Sequence, residues 1–129
     1  KAKNVKEACR ILVEKHNGSV PRTMEELTKL PGIARKTANT ILINAYGIVE
    51  GIPVDTWVIK VGCRLGLTKN TNPDKIEKDL MQIIPKQDWS KIAYILKTHG
   101  KAICTSPVPY CSKCFLNDIC PKQGVHEEL

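Results

Sequence analysis

Six of the 129 residues are cysteines, and four of them crowd into one short stretch. Cys104, Cys111, Cys114 and Cys120 read C-x6-C-x2-C-x5-C. Thiols so close can do three kinds of chemistry. They can pair as disulfides, which needs an oxidising compartment, and nothing in the chain points to secretion. They can hold structural zinc, whose sites usually show two separated C-x-x-C pairs where this chain has one. They can wrap an iron–sulfur cluster, which accepts compact, unequal spacing because four thiolates surround one cubane. Spacing favours the cluster and leaves zinc open. Cys9 and Cys63 lie on helical segments and read as buried small apolar residues.

A second group of residues surrounds a turn, Leu30-Pro31-Gly32-Ile33-Ala34-Arg35-Lys36-Thr37-Ala38. Pro-Gly makes a tight connection that opens a helix. Such a helix start presents backbone N–H groups to an anion, and a phosphate fits there. Glycine keeps the backbone accessible. A plain helix–turn–helix connection would look the same. Lys36 falls in the first helical turn, where the positive end of the dipole disfavours a cation. That field favours the neutral amine, the nucleophilic form, although most lysines in such a chain are simply solvated. Asp55 reads first as a helix cap. A carboxylate near a lysine can also move its proton or stabilise a cationic intermediate. Spacing alone does not bring Lys36 and Asp55 together.

The elements that must position these groups are all helical. Val5, Ala8, Cys9, Leu12 and Val13 recur at helical spacing up to Gly18. Thr23 and Glu26 form a capping box for a short helix through Leu27. Ala38, Ile41, Leu42 and Ala45 share a face that stops at Gly47. Asp55 caps a helix with Val58, Val61 and Leu65 inward, ending at Gly66. Asn72-Pro73 starts another, with Ile76, Leu80 and Ile83 inward and Pro85 after it. Trp89, Ile92, Ile95, Leu96 and His99 mark a fifth long helix, closed by Gly100. No alternation of period two appears, so the predicted class is all-α.

Composition agrees with a folded domain: 42% of residues are apolar and 26% charged, with a net charge of +7. A disordered tail, a collagen-like fibre and a membrane span are excluded. The charge is uneven. Residues 1–103 carry 18 basic and 10 acidic residues, net +8, whereas 104–129 carry 2 and 3, net −1. A basic body suits a polyanion such as nucleic acid. Solubility would account for it equally well.

Together these motifs resemble the endonuclease III family of helix-hairpin-helix DNA glycosylases. The matching pieces are LPGIARKTAN at 30–39, VDTWV at 54–58, LGLTK at 65–69, HG at 99–100, HNGSVP at 16–21 and the cysteine pattern. The resemblance covers nearly the whole chain. It implies an all-α helix-hairpin-helix glycosylase fold, with part of a helical-barrel lobe and a C-terminal iron–sulfur lobe. Residues 1–69 would be the later part of the helical lobe, with the hairpin motif at about 22–47. Residues 70–129 would be the cluster lobe. A 4Fe–4S cluster would sit on Cys104, Cys111, Cys114 and Cys120, whose spacing is highly specific to this family and its adenine-glycosylase relatives. Lys36 would be the Schiff-base lysine and Asp55 the catalytic aspartate. Leu30, Gly32, Ala34, Arg35, Lys36 and Thr37 would meet DNA. The implied activity is removal of oxidised pyrimidines from damaged double-stranded DNA, followed by strand cutting at the abasic site. Adenine glycosylases of this fold lack lysine at the position of Lys36, and a mismatch-glycosylase group carries tyrosine there. Lys36 therefore points to the lyase-competent branch. A non-catalytic DNA-binding module, or an inactive fragment, is the alternative.

Three departures from the family pattern stand out. Ala34 replaces the second hairpin glycine, and alanine would be strained if that position required positive φ. Trp57 stands where histidine is common, and core packing is its expected role. The loop 105–110, Thr-Ser-Pro-Val-Pro-Tyr, lacks the basic residues that contact phosphates in the family, which leaves Lys101 and Lys113 beside it as partial substitutes. The chain also opens on Lys1, and the resemblance implies further helices ahead of it. The expectation is a truncated fragment, unstable or inactive alone, of an enzyme monomeric at full length. Reduced-cysteine use and the absence of a visible targeting signal suggest a cytoplasmic, nucleoid-associated protein.

Overall fold

A computed structural model describes all 129 residues. It contains six α-helices and no strand, as the periodicities predict. Two compact units divide the chain, Lys1–Pro53 and Val54–Leu129.

The first unit holds α1 (Ala2–Lys15), α2 (Met24–Thr28) and α3 (Arg35–Tyr46). Its buried cluster is Leu27, Leu30, Ala38 and Leu42, with Ile11, Leu12, Ile33 and Ile41 packed around it. The capping box forms as read: the Glu26 N–H donates to Thr23 Oγ1 at 3.3 Å, and the Thr23 hydroxyl meets the Glu26 carboxylate at 3.2 Å. Gly47 ends α3 at φ +65°, a left-handed cap that costs glycine little. The Tyr46 hydroxyl donates to the Val20 carbonyl at 2.6 Å and so ties the end of α3 to the loop before α2.

In α1 the helical period is right but the burial is not. Val5 and Val13 are exposed, and no residue of this helix is fully buried. Arg10 bridges Glu7 and Glu14 along its outer face, an exposed network that adds little to stability. Cys9 is exposed, contrary to its reading as a buried residue, and Cys63 is half-buried. Ala45 of α3 likewise faces out.

The second unit contains α4 (Thr56–Arg64), α5 (Pro73–Ile83) and α6 (Trp89–Ala102), followed by the cysteine-rich segment. Val58, Val61, Ile76, Leu80, Ala93 and Leu96 are buried. Asn72 caps α5 by accepting the Asp74 and Lys75 N–H groups, with Pro73 in the first turn, as expected. Ile83 and Ile95, expected inward, are exposed.

Gly100 does not close α6. The helix continues to Ala102, and Gly100 is buried where α6 crosses α4. A Cβ there would stand 2.5 Å from Trp57 Cε3 and 3.0 Å from Val61 Cγ2. Trp57 is thus the packing residue expected of it. α4 lies in the second compact unit, which begins at Val54.

Candidate active site and metal centre

The turn between α2 and α3 combines a buried anchor with an open helix start. The Leu30 side chain belongs to the core, so the backbone is what this residue offers to a ligand. Gly32 is exposed at φ +79°, a conformation that favours glycine. Ala34 sits at φ −97°, ψ −179°, ordinary extended backbone. The strain expected of alanine at this position does not arise.

Ala34 is the N-cap of α3, and no side chain caps the helix. A helix start leaves N–H groups without intrahelical partners. Here they open beside an exposed turn, at the positive end of the dipole, which suits an anion. Arg35 and Thr37 are half-buried, whereas Lys36 is exposed. The Lys36 amine therefore stands free at the first turn, while its carbonyl accepts the Thr40 hydroxyl at 2.9 Å.

Asp55 opens α4 as its N-cap, with Oδ1 accepting the Val58 N–H at 2.9 Å. The cap reading is thus realised. Lys36 belongs to the first compact unit and Asp55 to the second, and each is described in its own surroundings.

The four clustered cysteines come together. Cys104, Cys111, Cys114 and Cys120 line one cavity, walled also by Arg64 and His99, and all four are free thiols. Hydrogen-bond donors point at the sulfurs. The Leu116 and Lys122 N–H groups reach Cys114 Sγ and Cys120 Sγ at 3.4 Å each. Arg64 Nη1 is 3.4 Å from Cys104 Sγ, and His99 Nε2 is 3.6 Å from Cys114 Sγ. Donors around sulfur are what thiolate ligands require. The donor set fits a thiophilic metal group.

Two parts of this centre are absent from the sequence reading. Arg64 is buried and donates to three loop carbonyls, those of Cys104 at 2.9 Å, Thr105 at 2.8 Å and Pro107 at 3.2 Å. Its signal was a charged residue one turn from Val61 on an apolar face. The tail also folds back onto the loop. The Ser112 N–H donates to the Leu129 carbonyl, and the Leu129 N–H to that of Pro109, both at 2.9 Å. Burial, with Glu128 hydrogen-bonded alongside, pushes the Cys111 thiol up. Lys122, 2.9 Å from the Glu128 carboxylate, holds that carboxyl below its ordinary value.

The uncharged loop 105–110 gains a cation from outside. Lys60 of α4 donates to Ser106 Oγ at 2.6 Å and lies over the Trp57 ring at 5.6 Å. Lys113, expected as a substitute, lies over the Tyr110 ring at 5.4 Å.

A helix-hairpin-helix family model matches residues 15–43. Endonuclease III of Synechocystis sp. is 50% identical over 121 residues, which span 94% of this chain and 55% of that protein. A trapped endonuclease III–DNA covalent intermediate superposes with a TM-score of 0.88 at 40% identity, over 94% of this chain and 57% of its own. A non-covalent endonuclease III–DNA complex also gives 0.88 at 40%. Over 94% of its length the chain is thus similar to endonuclease III proteins. It spans about 55% of the length of the curated relatives it matches. The endonuclease III likeness covers the hairpin, both candidate catalytic residues and the cysteine centre alike.

Proposed function

We propose that this chain carries the reactive half of a base-excision DNA glycosylase with abasic-site lyase activity, acting on oxidised pyrimidines in duplex DNA. The observation that carries the reading is an exposed lysine directly behind the hairpin, in a chain that superposes on an endonuclease III held covalently on DNA. A covalent intermediate needs an enzyme nucleophile, and Lys36 is the candidate for that role.

In this mechanism the hairpin, from Leu30 to Ala34, takes a backbone phosphate on its N–H groups, helped by Arg35 and Thr37. The net charge of +7 draws in the polyanion. The damaged nucleotide leaves the stack. The neutral Lys36 amine attacks C1′ of the sugar. A C1′–N bond to the enzyme forms, and the bond to the base breaks, with the base taking the electron pair and then a proton. Asp55 offsets the positive charge that develops on the sugar, or takes the proton that Lys36 must lose. The sugar opens to an imine on Lys36. Loss of a C2′ proton then breaks the C3′–O bond and expels the 3′ phosphate. Water hydrolyses the imine and frees the lysine.

Cys104, Cys111, Cys114 and Cys120 would hold a 4Fe–4S cluster. Bound there, the cluster supplies a four-point staple for the loop rather than a reacting group. A single zinc ion, with bonds of 2.3 Å, would draw four sulfurs to within about 3.8 Å of one another. Four cysteines lining one cavity leave room for a polynuclear centre. No helix is long and apolar enough to cross a membrane. An enzyme with this substrate works at the chromosome, in nucleoid-associated cytoplasm.

Borohydride trapping on duplex DNA with an abasic site tests the reading. A covalent adduct that vanishes in Lys36→Ala supports the enzyme. No adduct from the full-length protein, with salt-dependent DNA affinity and no strand cutting, would establish the binding module instead. A brown protein with broad visible absorption supports the cluster, and a colourless one with stoichiometric zinc refutes it.

A further inference from the structure

Asp55 has a second partner. The cap bond uses Oδ1, and the Lys97 ammonium lies 3.9 Å from Oδ2. The aspartate side chain is 26% exposed and the lysine 43%. Lys97 belongs to α6, forty-two residues further along the chain.

The crossing of α4 and α6 accounts for the meeting. Gly100 stands one turn after Lys97 on α6, and Trp57 stands two residues after Asp55 on α4. These two are in direct contact because Gly100 lacks a Cβ. A larger residue at 100 would hold α6 off the head of α4. The neighbouring cation, Lys60, is engaged by Ser106 and lies over Trp57.

An ion pair this exposed adds little to folding stability. Its effect falls on the carboxylate. One bond to a backbone N–H leaves a carboxylate free to rock about that bond, and a second contact on the other oxygen removes the freedom. Catalytic groups lose rate steeply when their aim is loosened.

We infer that Lys97 is a positioning residue for Asp55, holding Oδ2 while the helix cap holds Oδ1. The inference rests on the proposed glycosylase function, in which Asp55 is the catalytic carboxylate. Lys97 acts through Asp55 and takes no part in bond making.

Single-turnover excision and steady-state kinetics on a duplex with an oxidised pyrimidine test this in the full-length, metal-loaded protein. The variants are Lys97→Met, Lys97→Arg, Asp55→Asn and the double variant Asp55→Asn/Lys97→Met. Asparagine retains the helix cap, so Asp55→Asn removes the charge alone. Lys97→Met should lower kcat about tenfold, with KM and melting temperature nearly unchanged. Lys97→Arg should restore most of the rate. The double variant should be no slower than Asp55→Asn, because a residue acting through Asp55 has nothing left to act on. Full multiplication of the two losses would overturn the inference. So would an effect confined to KM and its salt dependence, which marks a phosphate contact, or no effect at all. If the wild type excises nothing, the glycosylase reading fails and this inference fails with it.

Discussion

Gly32 of the hairpin turn rests against Asn4 of α1, so that a Cβ at position 32 would lie 3.3 Å from both Cβ and Nδ2 of that asparagine. The turn residue is therefore constrained twice, by a φ of +79° and by a neighbour in close contact. Ala34, two residues on, carries neither constraint.

Gly32→Ala should cost roughly 1–2 kcal/mol through the left-handed backbone alone, and Asn4 must also shift. A urea melt reads the loss. On the proposed reading DNA affinity should fall as well, because a shifted turn would misplace the N–H groups offered to a phosphate. Ala34→Gly should bring no gain, since extended backbone asks nothing of glycine.

Arg64→Met removes the donors to three carbonyls of the cysteine loop. Cys104 and Thr105 are half-buried and Pro107 is exposed, so water can meet part of the loss and a total of about 1–3 kcal/mol is expected. Thermal melting should fall and, on the proposed cluster reading, visible absorption with it, because the same guanidinium holds the loop and faces Cys104. An unchanged melting temperature would contradict this account of Arg64.

Gly100→Ala places a methyl 2.5 Å from Trp57 Cε3. Overpacking of this kind costs about 1–3 kcal/mol. A lower melting temperature, with altered tryptophan fluorescence, is the expected result.

Asp79 sets a pH dependence on the acid side. The Thr68 hydroxyl and the Asn70 amide both donate to its Oδ2, at 2.7 and 2.5 Å, and hold its carboxyl below the ordinary aspartate value. The unfolded chain therefore binds this proton more readily than the folded one. The contribution to stability is complete above the ordinary aspartate range, about pH 4, and is lost as pH falls through the lowered folded value. Asp79→Asn should flatten that limb in denaturation measured across acidic pH, and wild type and variant should converge at the lowest pH.

Local signals were legible in the sequence. The capping box at Thr23, the Asp55 and Asn72 caps, and the stop at Gly47 each depend on a few adjacent residues, and each is formed. The four closely spaced cysteines line one cavity. Features set by the meeting of distant helices were not legible. Gly100 looks like a helix stop until Trp57 is placed against it. Arg64 looks like a surface charge until the loop forty residues away folds over it. Ile83, Ile95 and Cys9 follow the helical period, yet period alone does not say whether another helix covers that face. The roles of Lys36 and Asp55 rest on family likeness, because an exposed lysine and a capping aspartate carry no chemical label of their own.

The uncapped start of α3 has an evolutionary consequence. A serine, threonine or aspartate at position 34 would strengthen the helix by about 1 kcal/mol. The backbone at Ala34 already has the extended conformation that such a cap uses. A chain selected for stability alone would fill that vacancy. On the proposed reading, a side-chain oxygen there would occupy the N–H groups offered to a phosphate, and a carboxylate would repel it as well. The missing cap would then be a trade of robustness against grip. Ala34→Asp should melt higher than the wild type and hold DNA less tightly.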